Sequence, residues 1–129
     1  MFTSLSAEME DITRQILQAS SIVHAELGPG LLQSVYEVCL AHELRKRRIR
    51  VDTHVPFPVV YRGARLDAGL RITLLVDKRI IIELESVETL NPAHDNRLLT
   101  YLKLTRLHLG FLINFNVPKI RDGIRRHTV

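Results

Sequence analysis

Cysteine is almost absent from this chain: Cys39 stands alone among 129 residues, so no intrachain disulfide can form. Stability must then come from burial, and a 46% hydrophobic content is enough for the core of one ordinary domain spanning residues 1–129. Cys39 falls within the helical pattern Tyr36, Cys39, Leu40, Leu44, where a small buried apolar side chain is expected rather than a nucleophile. Tryptophan is missing and aromatics amount to only 5%. Those present are not interleaved with basic residues, which excludes the usual stacking platform for single-stranded nucleic acid. There is no apolar run of 18 residues and no basic start followed by an apolar core. Neither a membrane span nor a secretory leader is therefore expected, and the cytoplasm is the expected compartment.

Positive charge is what the chain has in excess. The formal net charge of +4 comes mainly from Arg45, Lys46, Arg47, Arg48 and Arg50, and from Lys119, Arg121, Arg125, Arg126 and His127. Either cluster could contact phosphate, which makes nucleic acid a candidate partner. The competing account places the first cluster in the last turn of a helix, where cations complement the macrodipole, and the second in a solvated terminus.

Hydrophobic periodicity divides the chain into elements. Ser6 and the acids Glu8, Glu10 and Asp11 predict a capped helix from Ala7 to Leu27, with Ile12, Ile16, Ala19 and Val23 on one stripe. Gly28-Pro29-Gly30 stops it, and a second helix is expected from Leu31 to Arg48. From Arg50 the period changes to two, through Val51, Thr53, Val55, Phe57 and Val59 to Tyr61. Pro56 and Pro58 assign that strand to an edge or to irregular pairing. Arg62 to Arg65 turns the chain back; strands at Leu66–Val76 and Arg79–Ser86 follow. A helix opening at Asn91-Pro92 runs to about Leu107, and Leu109–Phe115 is a buried strand. Strand, helix, strand implies a parallel pair with a right-handed crossover. The tail from Val117 to Val129 fits either a short helix or an edge strand.

The most informative segment is Ile80-Ile81-Ile82-Glu83-Leu84-Glu85, an apolar strand ending in two carboxylates at i and i+2. That spacing puts both acids on one face of a sheet, where a hydrolytic metal site could sit. With Gly69–Val76 and the turn Asp77-Lys78-Arg79, the segment resembles the metal-binding hairpin of the PD-(D/E)XK nuclease superfamily. From about Ile22 to the C-terminus the chain is similar to the small bacterial GxxExxY family. The matching segments are Leu27–Tyr36, the hairpin, Leu90–His94, Leu98–Lys103 and Leu112–Phe115.

The resemblance implies an α/β fold with a restriction-endonuclease-like αβββαβ core, a mixed sheet flanked by helices. It also implies a site in which acids at positions 73 and 83 hold Mg²⁺ or Mn²⁺, a lysine at 85 positions water, and a glutamate at 33 completes the set. This chain departs from the pattern: it carries Gln33, Thr73 and Glu85 at those positions, and Arg97 where the family has glutamine. Only Glu83, and Tyr101 in the Leu-Leu-Thr-Tyr segment, match. A hard divalent cation gives up its waters to anionic oxygens, so two neutral replacements predict a steep loss of metal affinity. Glu85 puts an anion where phosphate would lie; at an effective dielectric of about 20, charges about 4 Å apart interact by roughly 4 kcal/mol.

The expected function is that of a catalytically inactive nuclease fold serving as a binding or homo-oligomeric assembly module, with no cofactor and no membrane. Two alternatives stand beside it. One is a metal-dependent nuclease with a rearranged site, in which Glu83 and Glu85 recruit Asp67 or Asp77 around Mg²⁺ or Mn²⁺. The other is a non-cleaving nucleic-acid binder acting through Arg45, Lys46, Arg47, Arg48, Arg125 and Arg126. Glu85 and Arg97 are expected to pair across the former cleft. His94 is expected to hydrogen-bond near the start of the third helix, and His24 and His42 to be structural.

Overall fold

The computed structural model describes residues 6–129, except for the side chain of Ala68. The Ser6 hydroxyl accepts the Met9 N–H at 3.1 Å and opens helix α1 (Ala7–Leu27), whose buried stripe holds Ile12, Ile16, Ala19 and Val23. Gly28, at φ 71°, ends it by returning its N–H to the His24 carbonyl at 2.8 Å. Helix α2 (Gln33–Lys46) starts two residues later than the periodicity suggests, because Leu32 is extended and only caps it. The Tyr36 hydroxyl donates to the Gly28 carbonyl at 2.6 Å and accepts the Leu31 N–H at 3.1 Å, locking the intervening turn. Its ring stacks on Phe115, with centroids 4.6 Å apart.

Five strands follow in one sheet: β1 (Val51–Tyr61), β2 (Ala64–Val76), β3 (Ile80–Glu85), β4 (Leu109–Asn114) and β5 (Ile124–Thr128). Their order in the sheet is their order in the chain. β1, β2 and β3 pair antiparallel, β3 and β4 parallel, and β4 and β5 antiparallel. The parallel step is bridged by α3 (Pro92–Thr105), as the strand-helix-strand pattern requires. β1 is an edge strand, which its prolines demand. The tail contains both elements that the sequence left open, a 3₁₀ turn at Ile120–Gly123 and then β5 on the far edge.

Alternation along the buried strands feeds two cores. On one face Ile80, Ile82, Leu84 and Phe111 pack against α1 and α2 through Ile16, Leu40 and Leu44. On the other, Ile72, Ile81 and Leu112 meet Leu98 and Leu102 of α3. Gly110 allows this approach, since a Cβ there would lie 2.9 Å from the Leu98 side chain.

Beyond the body the first hairpin continues as an arm. β2 pairs with β3 only from Leu74 to Val76, whereas its pairing with β1 runs on from Val55–Ile72 to Tyr61–Ala64. Arg62 (φ 50°) and Gly63 (φ 86°) form the two-residue turn at its tip, both in the left-handed region such hairpins use. Asp67 and Ala68 are extra residues in β2 between the Pro58–Gly69 and Val59–Leu66 pairs. No helix among the described residues is long and apolar enough to cross a membrane.

Candidate functional site

Where β2, β3, α2 and α3 meet, a cleft of about 310 Å³ is lined by Gln33, His54, Arg71, Thr73, Glu83, Glu85, His94, Arg97 and Tyr101. All six site positions read from the sequence (Gln33, Thr73, Glu83, Glu85, Arg97 and Tyr101) are in this lining. The β2–β3 ladder ends at Leu74–Ile82, and from the next position Glu83 turns its side chain back across the gap. One carboxylate oxygen accepts the Thr73 N–H at 3.0 Å and the other accepts the Thr73 hydroxyl at 2.9 Å. Only 6% of Glu83 is exposed. Burial pushes its pKa above the ordinary 4.5, and the Glu85 charge adds to this; the Thr73 hydrogen bonds and the Arg97 charge act in the opposite direction.

Glu85, two residues on and equally buried, accepts from the Arg97 guanidinium at 2.7 Å. The pair bridges β3 and α3 as expected from its charges, but unequally. About half of the Arg97 side chain is in solvent and only a tenth of the Glu85 side chain. His94 approaches the same carboxylate with Nε2 at 3.9 Å. Its Nδ1 accepts the Asn91 N–H at 3.1 Å while the Asn91 side chain caps Ala93, so His94 is indeed part of the helix start. Because Nδ1 is an acceptor, the ring proton is on Nε2, facing the cleft.

Three residues that the sequence reading did not single out complete the site. Gln33 donates to Glu37 at 2.9 Å, and the other Glu37 oxygen meets His54 Nε2 at 3.0 Å, with Glu37 buried. The i, i+4 spacing of Gln33 and Glu37 is a signal that was available. His54 had none: it enters because β1 adopts φ 51° at that residue, interrupting the ladder between the Thr53–Leu74 and Val55–Ile72 pairs. Arg71 is exposed at the rim, with no carboxylate partner among the described residues.

The donors do not suit a divalent metal. Each Glu83 oxygen accepts from Thr73, Gln33 is turned to Glu37, and the Arg97 guanidinium sits on one Glu85 oxygen, where its charge repels a second cation. The rearranged set imagined from the sequence does not assemble. Asp77 hydrogen-bonds Arg79 in the β2–β3 turn and Asp67 is exposed on the arm, so neither lines the cleft. Among the described residues no group of three or more His, Cys, Asp or Glu is placed to hold a metal.

Other sequence candidates are committed elsewhere. Arg45 donates to the Val51 carbonyl at 2.7 Å, Arg47 to Gln18 at 2.8 Å, and Lys46 is 3.8 Å from Glu43. Arg125 and His127 share Asp95, and Arg126 meets Glu10 at 3.3 Å. Of the six cations considered for nucleic acid, Arg48 alone has no such partner among the described residues. His24 is structural, its Nε2 at 2.7 Å from the Val117 carbonyl. His42, expected among apolar neighbours, is exposed, and Cys39, expected buried, is half-buried at the border of the core.

The model of the PD-(D/E)XK nuclease superfamily matches residues 10–127. No curated protein and no solved structure shows a significant match to the chain. With a match over nearly its whole length, and strands, crossover helix and acid-bearing hairpin arranged as that resemblance implies, the chain belongs to the PD-(D/E)XK nuclease superfamily.

Proposed function

We propose that this chain is a catalytically silent member of the superfamily, close to the GxxExxY group, that works as a binding or homo-oligomeric assembly module. One observation carries the reading: both acids of the cleft are held by the chain's own donors. Thr73 takes both oxygens of Glu83, and Arg97 neutralises Glu85. A metal would have to displace those bonds and compete with a guanidinium, while the raised pKa of Glu83 further weakens its case as a ligand. The pairing of five of the six cations considered for nucleic acid (Arg45, Lys46, Arg47, Arg125 and Arg126) with the chain's own acceptors speaks against a nucleic-acid binder built on them.

The direct test is calorimetric titration of the purified chain with Mg²⁺ and Mn²⁺, alongside incubation with single- and double-stranded DNA and RNA. No saturable metal binding and no metal-dependent cleavage are expected. Reproducible cleavage abolished by Glu83→Gln would overturn the proposal. Restoring the family pattern with Gln33→Glu, Thr73→Asp, Glu85→Lys and Arg97→Gln should raise metal affinity, because it frees Glu83 and removes the competing guanidinium. A folded variant that binds Mg²⁺ no better than its parent would show that these positions do not surround a metal site.

A further inference from the structure

The arm has two unlike faces. Residues opposite each other in a ladder share a face, and faces alternate along a strand. The pairs Phe57–Leu70, Val59–Leu66 and Tyr61–Ala64 therefore make one face, with no charge on it. Pro56–Arg71, Pro58–Gly69 and Val60–Arg65 make the other, which carries both cations. The apolar face continues the α3-side core outward, since Val55 and Ile72 at its inner end pack into that cluster. Farther out, Phe57, Val59, Tyr61, Leu66 and Leu70 join neither core, and Tyr61 and Leu66 are 60% and 45% exposed. A two-stranded ribbon is marginally stable in water without a third layer.

We propose that this face is a dimerisation surface, covered by the same face of a second copy of the chain. The inference rests on the assembly half of the function proposed above and names where assembly occurs. Charge decides the occupant. A polyanion would seek Arg65 and Arg71, which point the other way, whereas an uncharged apolar face meets its own copy about a two-fold axis without opposing like charges. The contact is face to face and not edge to edge. Pro56 and Pro58 deprive the β1 edge of donors, and the extra residues Asp67 and Ala68 break the β2 edge. Seven residues from Val55 to Tyr61 give a ribbon about 23 Å long, and with two strands about 4.8 Å apart its face is on the order of 250 Å², well below the roughly 800 Å² per partner of a standard interface. The dimer is accordingly weak and reversible.

Sedimentation velocity of the full chain over a wide concentration range tests this, with Leu66→Glu and Tyr61→Glu on the apolar face and Val60→Glu, 64% exposed, on the other. The parent should dimerise with rising concentration; each apolar-face variant should weaken the dimer by at least about a hundredfold, as expected for burying like charges at a two-fold contact. Val60→Glu should leave it unchanged. A second readout does not depend on destabilising the arm. In a Cys39→Ser background, Leu66→Cys should cross-link to a covalent dimer with a short bismaleimide and Val60→Cys should not. A parent that is monomeric throughout, a dimer indifferent to both apolar-face variants, or no Leu66→Cys cross-link overturns the proposal. A monomer that binds duplex DNA through Arg65 and Arg71 overturns it in favour of a polyanion partner. A monomer with a metal-silent cleft removes the arm interface alone; metal-dependent cleavage removes the functional reading and leaves the interface to be judged by the cross-link.

Discussion

A carboxyl group buried beside a single threonine has a protonation state that folding changes, and Glu83 makes this measurable. Its folded pKa is raised above the ordinary 4.5 chiefly by burial. The native state therefore holds the proton more tightly than the unfolded chain, and the stability so gained is present below the ordinary value and lost as pH rises through the folded one. Relative to Glu83→Gln, which cannot ionise, the parent should lose stability across that window and run parallel to the variant above it. Urea denaturation of both proteins over a pH series checks this, and a gap independent of pH would rule it out. The neighbouring pair is asymmetric. Arg97→Gln strands a buried carboxylate and should cost about 1 to 3 kcal/mol, whereas Glu85→Gln releases a half-solvated guanidinium and should cost about 1 kcal/mol or less. The double variant should lose less than the sum, and strict additivity would show that the two side chains do not act as a pair. At this scale the acids were legible because a strand's period of two needs no tertiary knowledge. Glu37 left a signal in its i, i+4 spacing from Gln33, but His54 left none, since it joins the cleft only because β1 breaks its pleat there.

Elements were read more completely than residues, because caps and stops are local chemistry. Ser6, Gly28 and Asn91-Pro92 each mark a boundary that the backbone uses. Asn91→Ala should cost about 1 kcal/mol by removing the bond to the Ala93 N–H. The tail resisted reading, since five residues of strand following a single 3₁₀ turn carry too short a pattern to choose between periods. Gly123 decides the matter: it passes the Asn114 carbonyl so closely that a Cβ would collide with backbone. Gly123→Ala should therefore lift β5 from β4 and lower stability by about 1 to 3 kcal/mol, with the strain confined to that edge. Hydrogen exchange at β5 amides should accelerate far more than at β3. Equal protection in parent and variant would show that the strand tolerates the methyl group.

For the molecule as a whole, the order of strands in the sheet is the order of strands in the chain. This has a kinetic consequence. β1, β2 and β3 meet through short turns and close small loops, whereas β3 must wait for α3 to cross before β4 can lie beside it. The slow event in folding should then be the docking of β4, with the β3–β4 contact made in the transition state; the arm, although local, is a two-stranded ribbon with no third layer to hold it and should settle only afterwards. Ile113→Val, in that contact, should slow refolding, while Phe57→Ala, on the arm, should leave refolding unchanged and speed unfolding alone. A chain laid out in this way nucleates through its least local pairing, so the strand that carries the two acids of the cleft is also the one on which the rate of folding turns.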